Sequence, residues 1–289
     1  MNDTQRMNYI FTHYDNNVNS VGIRCFLNSI QKLNSDNIIV FFFTNVTVPE
    51  SWDNYKFLRV VHTPGCSAVD LRPQVNRWFH FRNFLEKNIT LFNNEDKFFA
   101  LDCGDSIIQK NPFEEIHIRD HILFALESEK FTLKQGFNKR CILQLLNKEF
   151  RDPEIQKFIY NPIICTGTVY FDTLSLFIDW LSFFTKHTVL YLANNTKFHH
   201  EKFKLGMCND QGITNTLINT KPIPFLYKLI KNEELTIIAT VALMMFDGLD
   251  HSFSTKGDII TIDEKTPCIV HQYNRNTDLT SSINNIYGR

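Results

Sequence analysis

Apolar residues fall into two rhythms along the first hundred positions. The stretch 8–12 (NYIFT) and the longer run 37–45 (NIIVFFFTN) are apolar at consecutive positions. Strands covered on both faces of a parallel sheet read this way. Between them, Val21, Ile23, Phe26, Leu27 and Ile30 recur at helical spacing, with Asn19 or Ser20 available as a cap and Asn34-Ser35-Asp36 as a stop. The pattern goes on to predict a strand over 57–61, a helix over 77–88 opened by Arg77, and a strand over 97–101 (KFFAL). Strands alternating with helices predict an α/β fold with a Rossmann-like, mainly parallel central sheet flanked by helices. Ligands of such sheets sit beyond the carboxyl ends of the strands. Two segments therefore matter most: Thr12-His13-Tyr14-Asp15 and Asp102-Cys103-Gly104-Asp105.

The second half is less regular. It predicts strands over 122–126 and 162–171, the latter broken at Thr166-Gly167, and helices over 139–147, 174–184 and 211–218. Short strands over 259–262 and 268–270 close the pattern, and no shift in composition marks a domain boundary.

The charge balance removes one class of function. In 289 residues there are 30 Lys+Arg against 31 Asp+Glu, a net charge of −1. A general nucleic-acid binder needs a basic footprint that this balance lacks. The longest apolar run, Leu235 to Phe246, is too short to span a bilayer, and the first residues hold no continuous apolar stretch. The expectation is a cytoplasmic protein with no membrane span. Seven cysteines (Cys25, Cys66, Cys103, Cys141, Cys165, Cys208 and Cys268), odd in number and with no CxxC pair, read as reduced thiols.

The strongest local signal is Phe98-Phe-Ala-Leu-Asp102-Cys-Gly-Asp105. A buried strand carries two carboxylates to its end, where Gly104 permits a tight turn. Carboxylates that close repel unless a cation lies between them, and oxygen ligands favour Mg²⁺ or Mn²⁺. The competing reading is a strand-ending turn in which Asp102 caps a backbone N–H. Thr166-Gly167 inside an apolar strand marks either close approach of a ligand or a β-bulge. Asp210 either caps the helix that follows it or, with Gln211, faces sugar hydroxyls. His271 is either a hydrogen-bonded structural residue or an imidazole ligand to the same metal, and Arg275 either is solvated or pairs with phosphate oxygens. Arg77 either reaches a diphosphate or is a solvated helix charge. No GxGxxG follows the first strand, and Walker, GxSxG and zinc-ligand spacings are absent; His199-His200-Glu201 lacks the second His of a zinc-protease helix.

In this order the segments resemble the metal-dependent nucleotide-sugar glycosyltransferases of the GT-A fold, glycogenin-like and related small transferases. The likeness rests on Ile10-Phe11-Thr12, the DxD-like Asp102-Cys103-Gly104-Asp105, the following Ser-Ile-Ile-Gln-Lys-Asn-Pro-Phe113, Cys165-Thr166-Gly167, Asp210-Gln211 and His271. It implies a single GT-A-like domain over 1–289, with a nucleotide- and metal-binding half (1–113) and an acceptor half (114–289). It also implies transfer of a hexose from a nucleoside diphosphate sugar, a UDP-sugar first, to a hydroxyl of a glycan, protein or small-molecule acceptor. Under the resemblance Asp102, Asp105 and His271 ligate Mn²⁺ or Mg²⁺. Thr12, His13, Tyr14, Arg77, Cys103, Thr166, Gly167 and Arg275 join Asp102 in holding the donor, while Asp210 and Gln211 are the catalytic pair. The chain departs from the pattern in three places. The carboxylates stand as DxxD, Cys165 replaces the usual Asn, and His271 is followed by Gln-Tyr-Asn-Arg275 where many relatives place a Gly and then a Lys.

Two alternatives stand beside this reading. A sugar nucleotidyltransferase wants a glycine-rich basic loop after the first strand, yet 12–20 contains no Gly, Lys or Arg. A degenerate sugar- or protein-binding module of the same fold fits the altered DxxD and Cys165.

Overall fold

Seven strands form the central sheet, and their edges and faces follow the apolar pattern closely. The structure is a computed structural model that describes residues 6–64, 72–127, 130–194, 209–231, 236–245 and 250–288. In chain order the elements begin β1 (Asn8–His13), α1 (Val21–Leu33), β2 (Ile38–Thr44), β3 (Leu58–His62), α2 (Pro73–Lys87), β4 (Lys97–Leu101), β5 (Ser106–Ile108) and α3 (Pro112–Glu115). They continue with β6 (Ile122–Leu126), α4 (Gly136–Leu146), α5 (Pro153–Gln156), β7 (Ile164–Phe171), α6 (Leu174–Asn194), α7 (Asp210–Thr220) and β8 (Tyr227–Ile230). The last are β9 (Ile238–Thr240), α8 (Val241–Met244), β10 (Phe253–Lys256), β11 (Ile259–Ile262), β12 (Ile269–His271) and α9 (Thr277–Tyr287).

The main sheet runs β3-β2-β1-β4-β7-β6-β8, and every neighbouring pair is parallel except those made by β7. A smaller sheet, β5-β12-β9, and the β10-β11 hairpin complete the strands among the described residues. Because side chains alternate along a strand, the consecutive phenylalanines of 41–43 serve both faces. Phe11, Phe41, Phe43 and Phe98 pack beneath α2 and α6 with Phe81 and Phe177. Ile10, Val40, Phe42 and Phe99 pack on the other face with Phe26 of α1 and Trp52.

Differences from the expected pattern have local causes. Helix α2 starts at Pro73, a residue suited to the first helical position. Arg77 therefore lies one turn inside the helix and does not open it. Strand β7 is continuous through Thr166-Gly167. Phe124 pairs with Val169 while the next residue, Ala125, pairs with Cys165, so Thr166, Gly167 and Thr168 bulge away from β6. Helix α6 runs on to Asn194, because Thr188 and Tyr191 continue its buried stripe past the polar Lys186-His187. Helix α9, absent from the pattern reading, carries its signal in buried Leu279, Ile283 and Tyr287 behind an Asn276 cap.

Cys25, Cys103, Cys141, Cys165 and Cys268 are buried thiols outside any disulfide. Cys66, Cys208 and His199-His200-Glu201 lie outside the described residues. The ends of the apolar run 235–246 do too, while its middle forms β9 and α8. No helix among the described residues is long and apolar enough to cross a membrane.

Candidate active site

Asp102 and Asp105, three residues apart, meet the distant His271 at the carboxyl end of β4. After Leu101 the chain turns through Asp102-Cys103-Gly104-Asp105 and re-enters the small sheet as β5. There β12 runs antiparallel to β5 and sets His271 opposite Ser106, next to Asp105. The ligand atoms offered by Asp102, Asp105 and His271 all lie within 4.8 Å of one another. His271 is fully buried; its Nδ1 lies 2.9 Å from Ser106 Oγ and 3.6 Å from Asp105 Oδ1. Its Nε2 is buried with no hydrogen-bond partner among the described residues. A buried polar atom left so is costly, and its presence points to an absent ligand.

The bulge in β7 supplies the remaining wall. Asp102 N donates to Gly167 O at 2.9 Å. A Cβ on Gly167 would stand 2.3 Å from His271 Nε2 and 2.7 Å from Asp102 Oδ2, so only glycine leaves that space open. Two carboxylate oxygens and an imidazole nitrogen around such a cradle fit a divalent cation, with the imidazole favouring Mn²⁺ over Mg²⁺. Ser106 would then hold the second ring nitrogen of His271. Gly167→Ala is expected to cut Mn²⁺ affinity by about 10- to 100-fold, the range for disturbing groups around a metal's ligands. Calorimetric titration with Mn²⁺ on a variant of unchanged circular dichroism checks this.

Arg77 anchors the opposite wall. It is 3% exposed, and its guanidinium is ion-paired with Asp102 Oδ1 through Nη1. Through Nη2 it donates to Asp210 Oδ2 at 2.5 Å and to the Thr166 carbonyl at 2.8 Å. Burial alone would lower the Arg77 pKa, but Asp102 and Asp210 outweigh it and raise it, so the guanidinium stays charged. Burial also works against ionised Asp102, yet Arg77 and His271 prevail and hold that carboxyl below its ordinary value. No arginine hydrogen-bonds Asp105 among the described residues. Burial, with the Asp102 charge adding to it, pushes its pKa up against the pull of His271 and the more distant charges of Arg275 and Arg77. A cation between the two would reverse that preference.

The other expected residues are placed as follows. Asp210 does not cap α7; Asn209 does, accepting from Gly212 N. Nor does Asp210 face open solvent as a free base. It is 3% exposed, held by Arg77 and by Trp78 Nε1 at 3.0 Å, and burial raises its pKa. Gln211, partly exposed, hydrogen-bonds Glu127. Arg77, Asp102, Cys103 and Asp105 line a polar cavity of about 250 Å³ together with His13, Tyr14, Asp15, Asn16, Gln74 and Asn274. Thr12 and Thr166 are buried beneath it and do not line it. Arg275 is exposed on the turn after β12, where its charge acts on Asp105 and Glu127. Two larger hollows, around Lys56 and around Lys97, open at the amino ends of the parallel strands and share none of these groups.

No known family's sequence profile matches the chain, and no curated protein matches it. Solved structures do. The galactosyltransferase LgtC, in complex with donor and acceptor sugar analogues, is similar over 98% of this chain and 95% of its own, at 12% identity and a TM-score of 0.51. The chain has a GT-A fold. An active-site mutant of LgtC gives 11% identity and a TM-score of 0.51 over 96% of both chains. The glycosyltransferase GlyE of Streptococcus pneumoniae gives 12% identity and a TM-score of 0.48, and this chain spans 63% of its length.

Several residues of this site escape the pattern reading. Ser106 is invisible because β5 is three residues long. Gly22 lets the start of α1 press on the carboxylate turn; a Cβ there would stand 2.1 Å from Gly104 O. Glu127, directly after β6, is 8% exposed, and burial lifts its pKa to about 7 against hydrogen bonds from Gln211 and Gln272. Its only sequence signal is a carboxylate ending the apolar run ILFAL.

Proposed function

We propose that this protein is a metal-dependent glycosyltransferase that moves a hexose from a nucleoside diphosphate sugar, a UDP-sugar first, to a hydroxyl acceptor. The observation that carries the reading is the meeting of Asp102, Asp105 and the unpartnered His271 Nε2 against Gly167, with the two carboxylates also lining a polar cavity. A divalent cation bound there supplies positive charge to the diphosphate as it departs from the sugar. Arg77 acts as a positioning residue: it fixes Asp102 from behind and ties it to Asp210, as the buried ion pairs indicate. His13, Tyr14 and Cys103 take the nucleotide, and Arg275 takes phosphate oxygens from the exposed side. Gln211 and Glu127 face the sugar, where Glu127, with a pKa near neutrality, both accepts and donates hydrogen bonds to hydroxyls. Asp210 holds Arg77 from the buried side.

The reading predicts Mn²⁺-dependent hydrolysis of a nucleotide sugar in water. A panel of UDP-, GDP- and other nucleotide sugars, assayed with and without Mn²⁺, tests it. Turnover of none in the presence of metal contradicts it. One observation favours a second reading: Arg77 already neutralises Asp102, as a metal-free sugar-binding module of this fold would require. Such a module binds UDP or sugar equally well after chelation.

Glu127 also sets a pH dependence of stability. Its folded pKa of about 7 lies above the ordinary 4.5, so the native state holds the proton more tightly than the unfolded chain. That contribution is fully present below pH 4.5 and is lost as pH rises through 7. Relative to wild type, Glu127→Gln is expected to gain stability between pH 5 and pH 7.5, read as a rising urea midpoint difference. A constant difference across those two pH values contradicts the assignment.

A further inference from the structure

Just after His271, where the chain departs from the transferase pattern, Gln272 adopts a left-handed backbone, φ 56° and ψ 33°. That conformation is uncommon for residues other than glycine, asparagine and aspartate, and it clusters at sites of function. The other non-glycine positions that share it are asparagines, aspartates and Glu264, which is exposed on the turn after β11. Gln272 instead stands between buried His271 and Tyr273. Its own Oε1 is buried with no hydrogen-bond partner among the described residues.

Glu127 determines which end of that amide is turned away. Strand pairing continues past β6 to Glu127, whose N–H donates to Ile163 O at 2.9 Å. Alternate side chains of a strand share a face, so Glu127 follows Leu123 and Ala125 onto the face whose core includes Ile238 and Ile269 of the small sheet. There it accepts hydrogen bonds from Gln211 and from Gln272. An ionised carboxylate offers acceptors only, so it draws the NH₂ end of each amide toward itself. What remains of the Gln272 amide is its oxygen, an acceptor to which nothing donates. Gln211 and Gln272 are partly exposed, so the trio is reachable from outside. It also adjoins the metal ligands: Gln272 directly follows His271, and the charge of Arg275 acts on both Asp105 and Glu127.

The charges on either side narrow what the orphan oxygen can take. Glu127 disfavours an anion beside it, and Arg275 disfavours a cation. A neutral group that donates a hydrogen bond fits both, and a sugar hydroxyl is such a group. We infer, on the basis of the transferase reading, that Gln272, oriented by Glu127, reads one hydroxyl of the donor hexose, which donates to Gln272 Oε1. Glu127 acts in this contact as a positioning residue. A site built to hydrogen-bond a hydroxyl rejects analogues that lack it, because its buried acceptor is then left unpaired.

Calorimetric titration in the presence of Mn²⁺ tests this with UDP, UDP-glucose, UDP-galactose and UDP-N-acetylglucosamine. Gln272→Met keeps the length of the side chain and lacks its polar atoms. It should bind UDP as wild type does and lose about 10-fold or more in affinity for the sugar nucleotide that wild type prefers. Glu127→Gln, which frees the Gln272 amide to turn over, should weaken the same sugar nucleotide and again leave UDP unchanged. Single-deoxy analogues of that sugar nucleotide give the decisive comparison. One of them should bind wild type about 10-fold more weakly than its parent, yet bind Gln272→Met as well as the parent does, a non-additivity that a purely structural Gln272 would not produce. Equal losses of UDP and sugar nucleotide in Gln272→Met, or losses that add strictly for every analogue, overturn the inference and leave the metal site standing. UDP binding by wild type with no binding of any of the three sugar nucleotides overturns it as well. Absence of UDP binding in Mn²⁺ defeats the transferase reading itself and the inference with it.

Discussion

Asp105→Asn is expected to fold at least as stably as wild type and yet to lose metal-dependent donor hydrolysis by about 1,000-fold or more, the upper range for removing one group that stabilises developing charge. Both halves follow from the same geometry. Asp105 is a half-buried carboxylate beside a second carboxylate, and partial burial together with that neighbour's charge raises its pKa. Neutralising it removes a repulsion that the cation-free fold must bear. With a cation present, the same change removes a charged ligand. Asp102→Ala should lose activity to a similar degree but should also cost stability, because Asp102 shares Arg77 with Asp210. Comparing the melting temperatures and hydrolysis rates of the two variants separates a ligand from a structural carboxylate. Wild-type hydrolysis in either one would contradict the account.

Arg77→Met carries the largest expected stability effect. The substitution leaves Asp210, 3% exposed, with Trp78 Nε1 as its remaining side-chain donor and no cation. Removing one partner of a buried ion pair typically costs about 3–5 kcal/mol, which for a chain of this size is a fall in Tm of about 5–8 °C. The cost arises chiefly from the stranded charge. The double variant Arg77→Met with Asp210→Asn should therefore be more stable than Arg77→Met alone, recovering about half of the loss or more. Strict additivity in the calorimetric melting temperatures would show that Arg77 and Asp210 do not act as a pair.

Much of this fold is legible in the apolar rhythm. The parallel strands β1, β2, β3 and β4 are buried between helices, and a strand covered on both faces has little choice but to be apolar throughout. The same reasoning singles out the carboxyl end of β4. What the sequence does not disclose is pairing. His271 reaches Asp105 only because β12 lies against the three-residue β5, and such short strands leave no periodic signal. The sense of β7 is hidden as well: a strand between antiparallel neighbours deep in a sheet has the same composition as a parallel one. Arg77 and Asp210 illustrate a different limit. Charged residues within the first two turns of helices ordinarily face water or cap backbone groups. Here α2 and α7 bring them together inside the protein, and only the three-dimensional arrangement makes two unremarkable charges into a buried pair. Glu127 is concealed for the same reason, since its neighbours Gln211 and Gln272 come from the start of α7 and the end of β12.

The central claim is that Asp102, Asp105 and His271 hold one divalent cation that a nucleoside diphosphate shares. Linked calorimetric titrations of UDP and Mn²⁺ test it most directly, because binding through a shared ion must be reciprocal. Mn²⁺ should tighten UDP by about ten-fold or more and UDP should tighten Mn²⁺ by the same factor, corresponding to a coupling of about 1.4 kcal/mol or more, and His271→Ala should abolish the coupling. UDP binding that is indifferent to Mn²⁺, or Mn²⁺ binding that survives unchanged in Asp102→Ala, Asp105→Asn and His271→Ala, would contradict it.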